Sequence, residues 1–199
     1  MVDDESPDGT GDLATGIAAG WPNLRVVRRA GARGVASAVV RGWQIARGEV
    51  LATINADFQH PPSILPEILR KIENADVVAA TRYAAQGSVG RFPKHRQFLS
   101  ASARHVGMLV APRVFRRVTD PLSGWYLFRR WVIEDIELRP AGFKTLIEVL
   151  ARGRVGSVAE CGYTMQARRA GRSHVRLWDW YEYLGQLGRI RSELRRPRS

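Results

Sequence analysis

The chain has a single cysteine, Cys161, in 199 residues. That excludes an internal disulfide framework and fits a reducing compartment. Its four histidines, His60, His95, His105 and His174, share no ligand spacing with one another or with Cys161, which argues against zinc. No apolar run approaches about 18 residues, so no membrane-spanning helix is expected, and the first residues lack the apolar core of a secretory signal. Internal repeats and low-complexity linkers are also missing. Acidic residues are few against basic ones, 19 to 31, for a formal charge of +12. With 45% hydrophobic and 25% charged residues the composition is that of a globular chain rather than a disordered one. Its length suffices for one domain with a real core.

The distribution of charge matters more than its sum. Acidic residues crowd the first dozen positions, and arginine dominates after Arg82. Such a chain favours a polyanionic partner: nucleic acid, anionic lipid or a phosphorylated small molecule. No helix-turn-helix, RNA-binding aromatic pair or zinc-finger spacing is present, so nucleic acid is not expected.

Short apolar runs alternate with helical patterns through the first half. Residues 24–27, 49–54 and 76–80 read as strands and 34–46 as a helix closed by Gly48. Thr10 is placed to cap a helix over 12–19. Pro61 and Pro62 lead into a helix with Ile64, Leu65, Ile68, Leu69 and Ile72 as its apolar stripe, and Pro66 fits only in its first turn. This alternation predicts an α/β domain with a largely parallel sheet, whose ligands collect beyond the carboxyl ends of the strands. Further on, 97–110 reads as a helix with Phe98, Ala101, Val106 and Leu109 inward. Residues 120–124 form a loop before the apolar segment 125–128, 142–152 a short helix, and 155–165 a strand. Residues 177–194 form a terminal amphipathic helix with Leu177, Tyr181, Leu184, Leu187 and Leu194 on one stripe. Its aromatics Trp178, Trp180, Tyr181 and Tyr183, followed by Arg189, Arg191, Arg195 and Arg196, suit either an interface helix on anionic lipid or docking on the domain core.

Three constellations carry chemistry. Asn55, Asp57 and Gln59 alternate at a strand end, where side chains repeat every second residue. They could converge on a hard cation such as Mg²⁺ or Mn²⁺, or simply form a capped turn. Asp3 and Asp4 precede the turn Ser6-Pro7-Asp8-Gly9 and suit hydrogen bonds to a ribose or base, or a helix cap. Arg82, Arg96 and Arg168, with Ser100 one turn after Arg96, suit phosphate, although arginine is common on the surface of so basic a chain.

Taken in order, "VDDESPDGT", "NADFQHPP", "TRY", "DPLSGWYLFRR" and Arg168-x-x-Gly171-x-Ser173 resemble the dolichol-phosphate mannose synthase group of family 2 glycosyltransferases. The likeness runs from Val2 to Ser173. It implies an α/β GT-A fold, a mostly parallel sheet flanked by helices, and transfer of a hexose from a nucleotide sugar to a polyprenyl phosphate, most often mannose from GDP-mannose. It also implies that Asp3 and Asp4 hold the nucleoside with Arg33 near the donor. Asn55, Asp57 and Gln59 fall on the metal-binding pattern, for Mg²⁺ or Mn²⁺. Arg82, Arg96 and Ser100 fall on the lipid-phosphate positions, and Arg168 on the loop that closes the site. Asp57, Arg96 and Arg168 would then be the catalytic set, in an inverting reaction on the cytoplasmic face of the membrane, in peripheral contact with anionic lipid.

The chain departs from that pattern in three places. Asn55 stands where the family has Asp, His174 where it has Lys, and the family's first βα unit is absent. Residues 1–176 are accordingly expected to form an N-terminally incomplete transferase domain, and 177–199 a helix with a basic tail. The competing expectation is a truncated, non-catalytic remnant that binds nucleotide or an anionic membrane surface.

Overall fold

A computed structural model describes residues 1–31, 34–90, 94–139, 142–167 and 177–195, apart from the side chains of 95, 96 and 177–179. Two sheets carry the architecture. Strand β1, Val2–Asp3, pairs in parallel with β2, Val27–Arg28, after helix α1, Thr10–Ala19. Helix α2, Val35–Ile45, follows and packs against both β1 and β3, Val50–Thr53. The larger sheet has the order β3-β5-β4-β6, with β4 at Val77–Thr81, β5 at Tyr126–Arg129 and β6 at Val158–Gly162. Strands β3, β4 and β6 run one way, and β5 is inserted antiparallel between β3 and β4. The βα alternation anticipated the three parallel strands but not the reversed one.

Period-two alternation explains the layering, because successive strand residues face opposite sides. Val77, Ala79, Tyr126 and Phe128 enter one core cluster, and Val78, Ala80, Trp125 and Leu127 the other. The first cluster is covered by α2, α5 (Pro112–Phe115), α6 (Thr145–Arg152) and α7 (Leu177–Leu194), with Trp43 edge-on to Phe128 at 5.0 Å. The second is covered by α3, Leu65–Ile72, whose Ile68 and Ile72 are buried. Cys161 lies in this second cluster, where burial pushes its thiol up to about 11; it is a core residue, not a reactive one.

Several sequence expectations change. Leu24 belongs to a turn, its N–H donating to the Trp21 carbonyl, so β2 begins only at Val27. Thr10 lies inside α1; Gly9 caps it in a left-handed conformation, and Asp8 accepts the Thr10 N–H. On α3, Leu65 and Leu69 face outward, because so short a helix offers the sheet only its Ile68–Ile72 edge. On α4, Lys94–Val110, Phe98 and Leu109 are 72% and 67% exposed and Ala101 is exposed, while Ala103, Val106 and Val110 pack on the core. On α7 the buried face is Tyr183, Gln186, Leu187 and Ile190, with Leu194 half-buried and Tyr181 and Leu184 outward. The aromatics therefore divide. Tyr183 docks through a 2.6 Å hydrogen bond to the Ala103 carbonyl with Trp180 edge-on to it, and the side chains of Leu177 and Trp178 lie outside the described residues.

The rotation of α4 is set by Gly107. A Cβ there would lie 2.1 Å from the buried ring of Phe115. Gly107→Ala should lower the melting temperature by up to about 8 °C, since overpacking costs about 1–3 kcal/mol against a gain of about 1 kcal/mol in helix propensity. Gly185→Ala on α7, with nothing within 4 Å of the new methyl, should instead raise it by about 2–4 °C. Equal shifts in thermal melts of the two variants would contradict this packing.

Candidate functional site

The carboxyl ends of β3, β4 and β6 and the start of β5 meet at one sheet edge, where α/β sheets place their ligands. Beyond β3 the chain leaves strand geometry at Thr53 and turns, with Phe58 in the left-handed region. The expected strand-like alternation therefore does not extend through the motif. Asn55 is exposed, Asp57 half-buried and Gln59 buried. Asp57 accepts the Gln59 N–H at 3.1 Å, which closes the turn. Asn55 rests on the backbone of Gly124, where a Cβ would come within 2.7 Å of its amide nitrogen. The missing side chain of Gly124 leaves room for that close approach.

Beyond β4 lies Arg82, 8% exposed and paired with Asp120, itself 1% exposed. The fork is bidentate, with Nε to Oδ2 at 2.7 Å and Nη2 to Oδ1 at 2.9 Å. Burial disfavours the guanidinium charge, but the Asp120 carboxylate more than offsets it and holds Arg82 charged. Ser100 of α4 receives a longer contact of 3.4 Å from Arg82 Nη2. The backbone of Arg96 lies one turn earlier on α4, its side chain outside the described residues. Behind the pair, Glu160 accepts from the Thr119 N–H and hydroxyl, and the Thr119 and Thr81 hydroxyls share a 2.7 Å hydrogen bond. That chain fixes the residues on either side of the ion pair.

His60 and Tyr163 line the same region, their rings 5.4 Å apart. Burial pushes His60 down to about 4; the Asp57 carboxylate opposes this, and the positive charges of Arg82 and Lys144 reinforce it. His60 is thus a neutral imidazole, and its buried Nδ1 has no hydrogen-bond partner among the described residues. Lys144, immediately before α6, donates to the Leu122 carbonyl at 2.9 Å and so holds the 120–124 loop.

The two aspartates of β1 form a separate cluster. Asp3 is buried beneath the turn it precedes; the hydrogen bond from Ser6 lowers its pKa, and a Cβ on Gly11 would lie 2.6 Å from its carboxylate. Asp4 is held by Arg29 through Nε and Nη2, both at 2.7 Å, and by the Gly34 N–H at 3.1 Å. One link joins this cluster to the main site: the Ala36 N–H of α2 donates to the Gly142 carbonyl, two residues before Lys144. Arg33 and Arg168, with Gly171, Ser173 and His174, lie outside the described residues.

The structure thus brings Asn55, Asp57, Gln59, Arg82 and Ser100 to one edge. It adds Asp120, Gly124, His60 and Lys144, which the sequence reading did not assign a role. Asp120 and Gly124 had a visible signal, the Asp-Pro-x-x-Gly turn, and His60 lay within the Asn55–Pro62 motif, whereas Lys144 had none. Among the described residues no three His, Cys, Asp or Glu side chains cluster as a metal cage. One carboxylate, Asp57, beside amide oxygens is a hard-oxygen donor set that fits Mg²⁺ or Mn²⁺ only as an ion shared with phosphate oxygens.

Comparison with known proteins places this geometry. The model of glycosyl transferase family 2 matches residues 1–137. The chain is 37% identical over 191 residues to the dolichol-phosphate mannosyltransferase of Pyrococcus furiosus, covering 96% of this chain and 54% of that one. It is 32% identical over 193 residues to the dolichol-phosphate mannosyltransferase of Mycosarcoma maydis, covering 94% and 64%. The chain therefore spans between half and two thirds of the length of these curated relatives. Glucosyl-3-phosphoglycerate synthase from Mycobacterium tuberculosis, solved with Mn²⁺, UDP and glucosyl-3-phosphoglycerate, superposes with a TM-score of 0.62 at 23% identity, over 94% of this chain and 63% of that one. That likeness supports the GT-A fold.

Proposed function

Because the chain belongs to glycosyl transferase family 2, we propose that it moves a hexose, mannose from GDP-mannose, onto a polyprenyl phosphate at a membrane surface. The observation that carries this reading is the meeting of an oxygen-donor turn, Asn55 to Gln59, with a buried arginine and Ser100 at one sheet edge. The turn suits the donor diphosphate and the Arg82–Ser100 side an acceptor phosphate. The names of the relatives, dolichol-phosphate mannosyltransferases, agree with such an acceptor.

The mechanism follows from charge. An acceptor phosphate is already an anionic nucleophile, so no general base is required. Its oxygen forms the new bond to the anomeric carbon as the bond from that carbon to the donor diphosphate breaks, and attack from the opposite face inverts the centre. Asp57 with the Asn55 and Gln59 amides would hold a divalent cation, which when bound would neutralise the departing diphosphate. Ser100 and Arg96 orient the acceptor phosphate, and Asp120 keeps Arg82 charged and fixed beside it. Asp4 and Arg33 would serve the nucleoside; Asp3, expected to share that role, is instead buried and braces the turn beneath Asp4, and Arg168, outside the described residues, would complete the catalytic set.

Contact with the membrane would be peripheral and on the cytoplasmic side. No described helix is long and apolar enough to cross a bilayer. The outward residues Phe98 and Leu109 on α4, and Tyr181, Leu184, Arg189 and Arg191 on α7, combine apolar and basic groups suited to anionic lipid.

A non-catalytic nucleotide- or membrane-binding remnant is the second reading, favoured by Asn55, which leaves a single carboxylate in the turn. One assay separates them: transfer of labelled mannose from GDP-mannose to polyprenyl phosphate in vesicles, with Mn²⁺. A mannolipid should form, and faster on vesicles containing phosphatidylglycerol than on phosphatidylcholine alone. Nucleotide binding without product would select the second reading.

A further inference from the structure

Lys144 is a cation beside the site with no anion of its own. Among the described residues it forms no salt bridge; its ammonium meets the Leu122 carbonyl at 2.9 Å and sits 4.6 Å from the centre of the Phe143 ring. Asp120 is near enough to be felt but is committed, with both of its oxygens accepting from Arg82. Arg82 and Lys144 thus share one carboxylate, leaving a surplus positive charge in a largely desolvated place. The ammonium has three donors and Leu122 uses one. Burial, joined by repulsion from Arg82, pushes Lys144 down to about 8. A group in that condition is relieved by an arriving anion.

Its anchorage also points to the site. The Leu122 carbonyl belongs to the loop whose Asp120 fixes Arg82 and whose Gly124 supports Asn55. The next residue, Thr145, is hydrogen-bonded to the buried Tyr126 hydroxyl, so the backbone carrying Lys144 is held to the sheet. A lysine serving only to hold that loop would need no charge, since a neutral donor would satisfy the carbonyl.

We propose that Lys144 is a phosphate-binding residue, donating a charged hydrogen bond to a phosphate oxygen held between the Asn55–Asp57 turn and the Arg82–Asp120 pair. The identity of that phosphate, in the donor diphosphate or the lipid monophosphate, rests on the glycosyltransferase reading; the demand for an anion does not. Direct contact with substrate would make Lys144 a catalytic residue beside Arg96.

The test is calorimetric titration of the unsubstituted protein, Lys144→Gln and Lys144→Arg. The probes are GDP with Mn²⁺, farnesyl phosphate in detergent micelles, and inorganic pyrophosphate. Loss of a charged hydrogen bond should weaken the affected probe about ten- to a hundredfold in Lys144→Gln and flatten its salt dependence. Lys144→Arg should recover most of both. Weakening confined to GDP assigns the donor diphosphate, and weakening confined to farnesyl phosphate assigns the acceptor. Unchanged affinity and salt dependence in Lys144→Gln would overturn the proposal, as would Lys144→Arg failing as badly as Lys144→Gln. If the unsubstituted protein binds neither GDP nor farnesyl phosphate, the glycosyltransferase reading fails, and the pyrophosphate titration alone still decides the role of Lys144.

Discussion

Asp120→Ala should lower the melting temperature by about 6–20 °C. The substitution leaves Arg82 charged, 8% exposed and without its bidentate partner. Breaking a buried pair from one side costs about 3–5 kcal/mol, and each kcal/mol moves a domain of this size by about 2–4 °C. Removing both charges should cost far less, because neither is then left desolvated and alone. Arg82→Met combined with Asp120→Leu is therefore expected to recover much of the loss, with little transfer activity remaining. Thermal melts of the single and double variants form the cycle. An Asp120→Ala variant that melts within 2 °C of the unsubstituted protein, roughly one kcal/mol, would show that the pair is not buried as described.

Asp57→Ala is expected to reduce mannosyl transfer at least about a thousandfold with little change in melting temperature. Asp57 is the one carboxylate of the 55–59 turn and only half-buried. If Asp57 holds the divalent cation as proposed, its loss would take away the charged protein ligand of an ion whose neutralising effect is worth several kcal/mol, and about 4 kcal/mol is a thousandfold in rate. Asn55→Ala should be much milder, since an amide oxygen brings no charge. Asn55→Asp should tighten Mn²⁺ binding in the absence of nucleotide, where the present turn, with its single carboxylate, is expected to bind weakly. Titrating Mn²⁺ into Asp57→Ala, Asn55→Asp and the unsubstituted protein, with and without GDP, checks each step. Identical affinities in all three would remove the metal site from this turn. Unchanged metal dependence in Asn55→Asp alone would leave Asn55 as a turn residue resting on Gly124.

Much of the architecture was legible because local signals agreed with the global fold. The Pro61-Pro62 turn that leads into α3, the apolar run that became β5 and the extent of α2 were all readable from spacing and turn chemistry. The faces of the helices were less legible. Leu65, Leu69, Phe98, Leu109, Tyr181 and Leu184 are apolar and fall on plausible stripes, yet all face outward. Hydrophobic periodicity gives the phase of a stripe only when a helix buries its whole apolar side. Here a small residue decides instead: Gly107 lets α4 approach Phe115 and turns Phe98 and Leu109 away.

The candidate site divides in the same manner. Asn55, Asp57, Gln59, Arg82 and Ser100 were readable because each lies in a short, ordered motif, and that order also identified the family and its fold. What the sequence determined by itself is therefore which chemical groups are present, in which local turns, and on which kind of scaffold. Only the tertiary structure decided which of them meet. Arg82 and Asp120 are 38 positions apart, and Lys144 reaches across 22 to the Leu122 carbonyl. Their pairing depends on the antiparallel insertion of β5, which brings the 120–124 loop back to the ends of β3 and β4. Burial then turns common surface residues into a fixed ion pair and a cation with no salt bridge among the described residues, because desolvation depends on what surrounds a side chain in space rather than along the chain.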